Sequence, residues 1–302
     1  MVRNRERKEE SMTRPTPRDI AVRSLKLPEE LKKFLPARWE MIGSVAVLKL
    51  REELESYSYE IGEAYAGALK AQSVYAVRGL ISGPFRKPSL ELIYGEDGET
   101  VHNENGVRYV LDVSKVMFSS ANHDERMRMA NLDCTGETIV DMFAGIGHLS
   151  MPVAVHSSPA MIIAAEADAD TFTYLLRTIE ANDAGEMFRA ENTDNRLLHV
   201  EEADRIIMGY LENTLAWLPK ALSMCRIGGA IHLHQAVRRG HVSEWRSEIE
   251  EGRGMGVGKS VAVENIRRVK GYSALLDHMA ADLRVVRTDK APEGKINSIK
   301  ST

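Results

Sequence analysis

The stretch IVDMFAGIGHLSMPVA, residues 139 to 154, decides how the chain is read. An apolar strand runs into Asp141, the backbone turns through Gly145 and Gly147, and a helix-like apolar segment follows at once. Glycines at such a turn let the backbone approach a ligand closely, and an acid at the strand end can accept its hydrogen bonds. The dinucleotide fingerprint would need a third glycine where this chain has Ser150, so a pyrophosphate cradle is not indicated. Outward from this turn the same alternation continues. MIIAAEA (161–167) precedes DTFTYLLRTIEAN (170–182), ADRIIMGYL (203–211) precedes ENTLAWLPKALSMC (212–225), and GGAIHLHQ (228–235) follows. Strand and helix in alternation predict an α/β, doubly wound, Rossmann-like domain whose ligand sits beyond the carboxyl ends of its strands.

Acids stand at those ends. Glu166 closes the second strand, and Asp194 and Asn195 lie in ENTDNRLL (191–198) after the third. A carboxylate there suits ribose hydroxyls, while a carboxylate beside an amide suits the amine and ring nitrogen of adenine. Each acid alone is explained by helix capping; at successive strand ends they predict an adenosine site. The D-x-F-x-G-x-G form of Asp141, Phe143, Gly145 and Gly147 is typical of enzymes that bind S-adenosylmethionine. Ahead of the sheet, in DVSKVMFSSANHDERMRM (112–129), Ser119 and Arg126 are both suited to a carboxylate such as that of methionine. The plainer reading is a capping serine and a surface arginine.

The chain has 302 residues, 43% of them hydrophobic, which is enough core for two domains. We expect a polar, flexible tail over 1–36, a small α+β domain over 37–115, the S-adenosylmethionine-binding domain over 116–288, and a carboxyl-terminal tail over 289–302. The small domain is read from a strand over Ile42–Leu50, a helix in REELESYSYEIGEAYAGALKA (51–71), and strands at SVYAVRG, SLELIYG and GVRYVLDV. Two cysteines, Cys134 and Cys225, give no disulfide framework and no zinc pair. No apolar leader or run long enough for a membrane is seen, so the expected location is the cytoplasm, without membrane or metal.

A net charge of -4 does not by itself suggest a nucleic-acid partner. Local basic clusters could supply one: Arg3, Arg5, Arg7, Lys8, Arg14, Arg18 and Arg23, or Arg238, Arg239, Arg246 and Arg253. GRGMGVGKS (252–260) is rejected as a phosphate loop, because its first glycine would fall on Arg253 and no apolar strand precedes it. His232 and His234 share one strand face; lacking a third ligand, they are read as packed or hydrogen-bonded rather than metal-binding.

Several short motifs in order carry a resemblance: RWEMIGSV, GPFRKP, TVHNENG, FSSANHDER, DMFAGIGHLS, AAEAD, TDNR, ADRIIMGYL and GGAIHLHQ. From about residue 37 to about residue 288 the chain resembles the archaeal tRNA guanine N1-methyltransferases and their relatives, the wybutosine-synthesizing 3-amino-3-carboxypropyl transferases. The resemblance implies cofactor contacts at Ser119, Arg126, Glu166, Asp194 and Asn195, with the glycine turn at Gly145. It also implies an acceptor-base arginine at Arg86 and a general acid or base at Glu125. The methyltransferase branch has Asn-Leu-Pro after its fourth strand, where this chain has Gly209, Tyr210 and Leu211. MGYLENT together with DNR resembles the aminocarboxypropyl branch. Ser120 departs from that branch, and the carboxyl end lacks its aromatic-rich closing strands. The resemblance thus implies transfer of the 3-amino-3-carboxypropyl group to 4-demethylwyosine beside the anticodon of tRNA(Phe), leaving methylthioadenosine. Guanine N1-methylation and a non-catalytic binding relative are the alternatives; the sequence leaves the oligomeric state open.

Overall fold

A computed structural model describes residues 15–81, 83–251 and 258–288. Its amino-terminal part corrects the expected tail. Helix α1 (Pro17–Ser24) opens with a capping box between Thr16 and Asp19, and α2 (Glu29–Lys32) follows. Ala21, Leu25, Leu27 and Leu35 are buried in the same cluster as Leu54, Ile61 and Tyr65. The apolar spacing that fixes α1 was masked in the sequence by the charges around it. Arg18, one of the supposed tail cations, donates from Nε to the Leu35 carbonyl at 3.2 Å. Arg3, Arg5, Arg7, Lys8 and Arg14 lie outside the described residues, as does 289–302.

The expected strand over Ile42–Leu50 is a hairpin of β1 (Trp39–Ile42) and β2 (Val45–Leu48). It turns at Gly43, whose φ is +55° and where a Cβ would come within 2.1 Å of Thr100 Oγ1, so glycine is required. Helix α3 (Ser58–Leu69) then leads to β3 (Ser73–Val77) and β4 (Leu90–Tyr94), giving the order β1-β2-β3-β4. The motif TVHNENG begins within β5 (Glu99–Glu104), which pairs with β6 (Val107–Asp112) as a separate ribbon. Val107, Tyr109 and Leu111 of that ribbon are buried with Ile139, Ile146 and Met151, so it packs against the main sheet.

After α4 (His123–Ala130) the doubly wound part begins. Its elements are β7 (Thr138–Asp141), α5 (Ser150–His156), β8 (Met161–Glu166), α6 (Ala169–Ala181), β9 (Phe188–Asn192), β10 (Ala203–Met208), α7 (Leu218–Met224), β11 (Cys225–Arg238), α8 (Val242–Glu251), β12 (Lys259–Gly271) and β13 (Leu276–Arg287). The sheet order is β12-β13-β11-β10-β7-β8-β9. Strands β7 to β11 pair in parallel, and β13 runs antiparallel to both β11 and β12. Val140, Ile206, Ile207, Ile231 and Leu233 are fully buried, as strands covered on both faces must be. The order turns back between β7 and β10, so the crevice for a ligand opens beyond their carboxyl ends.

The closing strands exist, yet β12 and β13 carry no Phe, Tyr or Trp. Their polar and apolar residues alternate irregularly, so the sequence does not mark them as strands. Of the rejected phosphate loop, 252–257 lie outside the described residues; Lys259 opens β12 and donates to the Cys225 carbonyl at 2.6 Å. Cys134 and Cys225 are buried free thiols.

Candidate functional site

A cavity of about 480 Å³ opens at the switch point. Arg86, Ser119, Arg126, Phe143, Gly145, Glu166, Asp194, Asn195 and Gly209 all line it. Asp141, Gly147 and Glu125 do not.

On the first wall, β7 delivers the chain into a turn that only glycine permits. Gly145 has φ +57°, and a Cβ on it would sit 2.8 Å from His148 Cδ2. Its N–H donates to Glu166 Oε2 at 2.9 Å, and the Asp168 N–H donates to Glu166 Oε1 at 2.8 Å. Each carboxylate oxygen keeps a lone pair for a further donor. Asp141 stands behind the turn, accepting from the Phe143 N–H at 3.3 Å. Burial, aided by the charge of Glu166, pushes its carboxyl up to about 6. It braces the turn instead of facing the cavity. Asp194 caps the short helical turn after β9 by accepting from the Arg196 N–H at 2.9 Å. Asn195 is buried, and its Oδ1 has no hydrogen-bond partner. A buried amide oxygen without a donor is costly unless a ligand supplies one.

Between the walls lies a charged corner. Arg126, with 3% of its side chain exposed, gives Nε and Nη2 to Glu104 at 2.5 and 2.7 Å and Nη1 to the Ser119 carbonyl at 3.1 Å. Only its remaining N–H groups are available to a ligand. Ser119 Oγ accepts from Lys270 Nζ at 2.8 Å. Burial, reinforced by Arg126 and Arg86, lowers the Lys270 ammonium to about 8. Lys270 was missed because nothing near it in the chain marks it; it reaches the corner only through the fold of β12.

The opposite wall joins distant segments. Arg86 adopts φ +53°, a conformation that L side chains rarely take and that marks sites under functional constraint. Its Nη1 donates to Tyr272 Oη at 3.0 Å and lies 3.4 Å from Glu212 Oε1. Tyr210 stacks on Phe143, with centroids 5.1 Å apart and planes 18° from parallel, and its hydroxyl donates to the Pro84 carbonyl at 3.2 Å. Gly209 leaves room for Leu149, which a Cβ would meet at 3.1 Å.

Glu125 lies behind this wall. Arg267 donates to it at 3.0 and 3.1 Å, and Arg128 does so at 2.8 and 3.0 Å. Although burial opposes it, Arg267, His234 and Arg128 hold its carboxyl down to about 2. A carboxylate so fixed, and set back from the cavity, cannot meet a substrate directly. Of the histidine pair expected in IHLH, His232 bonds Asp282 at 2.6 Å and Arg205 at 2.8 Å. His234 lines the cavity and bonds His278 at 3.0 Å. Among the described residues no group of three or more His, Cys, Asp or Glu could hold a metal ion, and no helix is long and apolar enough to cross a membrane. The second basic cluster is partly self-neutralised, Arg239 pairing with Asp277 and Arg246 with Glu250, while Arg253 lies outside the described residues.

The TRM5/TYW2 methyltransferase domain matches residues 100–251, and the TYW2 N-terminal domain matches residues 21–98. A tRNA(Phe) (4-demethylwyosine(37)-C(7)) aminocarboxypropyltransferase of Pyrococcus horikoshii is 44% identical over 273 residues, covering 90% of this chain and 98% of that protein. The crystal structure of P. horikoshii TYW2 in complex with MeSAdo superposes with a TM-score of 0.77 at 42% identity, over 90% of this chain and 98% of that one. The tRNA (guanine(37)-N(1))-methyltransferase Trm5b of Pyrococcus abyssi is 34% identical, over 86% of this chain and 78% of that protein.

Proposed function

The chain belongs to the TRM5/TYW2 family, and from that premise we propose that it transfers the 3-amino-3-carboxypropyl group of S-adenosylmethionine to C7 of 4-demethylwyosine in tRNA(Phe), next to the anticodon. It is a cytoplasmic transferase in this reading. The observation that carries the choice of reaction is the end of β10. Gly209 and Leu211 stand where the methyltransferase branch has Asn and Pro, and Tyr210 stacks its ring on Phe143 at the cavity wall, a flat aromatic face suited to a tricyclic base.

The first wall fits the cofactor. Glu166 would accept the ribose hydroxyls, the orphaned Asn195 oxygen would take the adenine amine, and Asp194 would add a second acceptor. The Gly145 turn would let the backbone close on the nucleoside. Ser119, Lys270 and the free edge of Arg126 would receive the methionine carboxylate. Bound there, S-adenosylmethionine supplies a sulfonium with three electrophilic carbons, and the group passed on is the one held in line with the acceptor. Orientation at the Ser119 corner therefore selects the product. Arg86, on the far wall, would hold the base or its phosphate.

The deciding assay supplies tRNA from cells blocked at this step and identifies the small product. Methylthioadenosine is expected. S-adenosylhomocysteine from tRNA that carries unmodified guanine at the same position, with no methylthioadenosine from the blocked-cell tRNA, would assign guanine N1-methylation, the activity of the 34%-identical Trm5b, instead.

A further inference from the structure

Resting on that function, we propose that His278, backed by His234 and Glu125, removes the proton that the acceptor carbon must lose. The transfer requires such a step. A bond forms between the ring carbon and the methylene of the incoming group, the carbon–sulfur bond breaks, and its electron pair stays on sulfur. The ring carbon then carries both its new substituent and its original hydrogen. A base must take that hydrogen as a proton, so that the C–H electron pair returns to the ring. One proton leaves per turnover, and the sulfonium charge is accounted for.

Glu125 cannot do this directly, because it lies behind the wall and is occupied by Arg128 and Arg267. In front of it are two imidazoles. His234 on β11 and His278 on β13 sit on adjacent antiparallel strands, both line the cavity, and they are 1% and 4% exposed. His234 Nδ1 and His278 Nε2 are 3.0 Å apart, so one proton lies between them. The outer nitrogens, His278 Nδ1 and His234 Nε2, have no hydrogen-bond partner, although both are buried. His234 Nε2 lies 3.5 Å from Glu125 Oε1. The contacts thus run from His278 to His234 to Glu125, with both imidazoles on the cavity and the carboxylate behind them.

Two unsatisfied nitrogens in so dry a place are a cost that packing alone does not recover. A relay uses both. As a proton enters at His278, the shared proton moves to His234 and the charge comes to rest beside Glu125, whose carboxylate stabilises it. Both rings begin neutral. Burial, with the cations Lys270, Arg86, Arg128 and Arg267 around them, lowers His234 to about 4 and His278 to about 2. A weak base suffices, because the hydrogen on a cationic ring carbon is far more acidic than an imidazolium.

The test compares the full chain with His278→Ala and His278→Asn, using acceptor tRNA with hydrogen or deuterium on the reacting carbon. We expect each variant to lose roughly 10²-fold or more in turnover while retaining S-adenosylmethionine affinity within about twofold. We expect a primary deuterium isotope effect in the variants that the unaltered enzyme lacks, and partial rescue of His278→Ala by added imidazole. In the free protein, nitrogen NMR should show both rings neutral at pH 7. Unchanged turnover, slowed turnover without an isotope effect, or an imidazolium already present at pH 7 would each overturn the relay. If His278→Ala fails to fold, His278→Asn supplies the same readings. Absence of methylthioadenosine from the unaltered enzyme would remove the proposed function and the relay together; normal release with any overturning result removes the relay alone.

Discussion

Along β7, β8 and β9 each binding group stands within a few residues of the strand that presents it. Across the same cavity, Arg86, His234 and His278 arrive from a loop before the sheet and from two strands on its other half, while Lys270 of β12 reaches the corner between the walls through Ser119. The first wall is a set of local solutions: a strand stops, a glycine turns, an acid accepts. The second is an assembly, in which no residue has its role until β11, β12 and β13 are paired. The difference teaches that a common nucleoside grip can be carried by local motif, while the choice of acceptor depends on long-range packing.

Breaking the join between the walls should have the largest effect. Glu104→Ala strips the buried Arg126 of its bidentate partner, and loss of one member of such a pair costs about 3–5 kcal/mol. Urea unfolding should show a drop of that size; a loss under about 1 kcal/mol would mean that Arg126 is not held by Glu104. Next comes a change confined to the first wall. Glu166→Ala should weaken S-adenosylmethionine binding about 10²-fold by calorimetry, the scale of a lost pair of charge-assisted hydrogen bonds, while tRNA affinity stays level. Equal losses for both ligands would show that the walls are not separable. The smallest effect concerns Lys270. Its ammonium is lowered to about 8, so the cation predominates at pH 7 and is lost as pH rises through that value. S-adenosylmethionine affinity should therefore fall about fivefold more between pH 7 and 9 in the unaltered protein than in Lys270→Met, in keeping with a partly exposed ion pair.

The legibility of the molecule follows the same division. Gly145, Glu166 and Asn195 were readable because strand ends in a doubly wound sheet recur at a regular spacing and leave their chemistry in short motifs. Lys270 and His278 were not, because β12 and β13 alternate polar and apolar residues irregularly and share no motif with the strands they complete. Glu125 was legible as an acid in HDER, but its distance from the cavity was not. That depends on Arg267, which reaches it from β12. Helix α1 shows the reverse case: its composition suggested a tail, yet Ala21 and Leu25 are buried in the core.

The place of β13 between β11 and β12 also bears on how the site comes into being. The last strand of the sheet in chain order is not its edge, so β12 has no partner until the chain passes it, reverses and inserts. The nucleoside wall needs only β7, β8 and β9, whereas the imidazole pair must await the insertion of β13 between β11 and β12, a pairing between strands that α8 and β12 separate in the chain. A newly made chain would acquire its grip on the nucleoside before it acquires the means to act on a base.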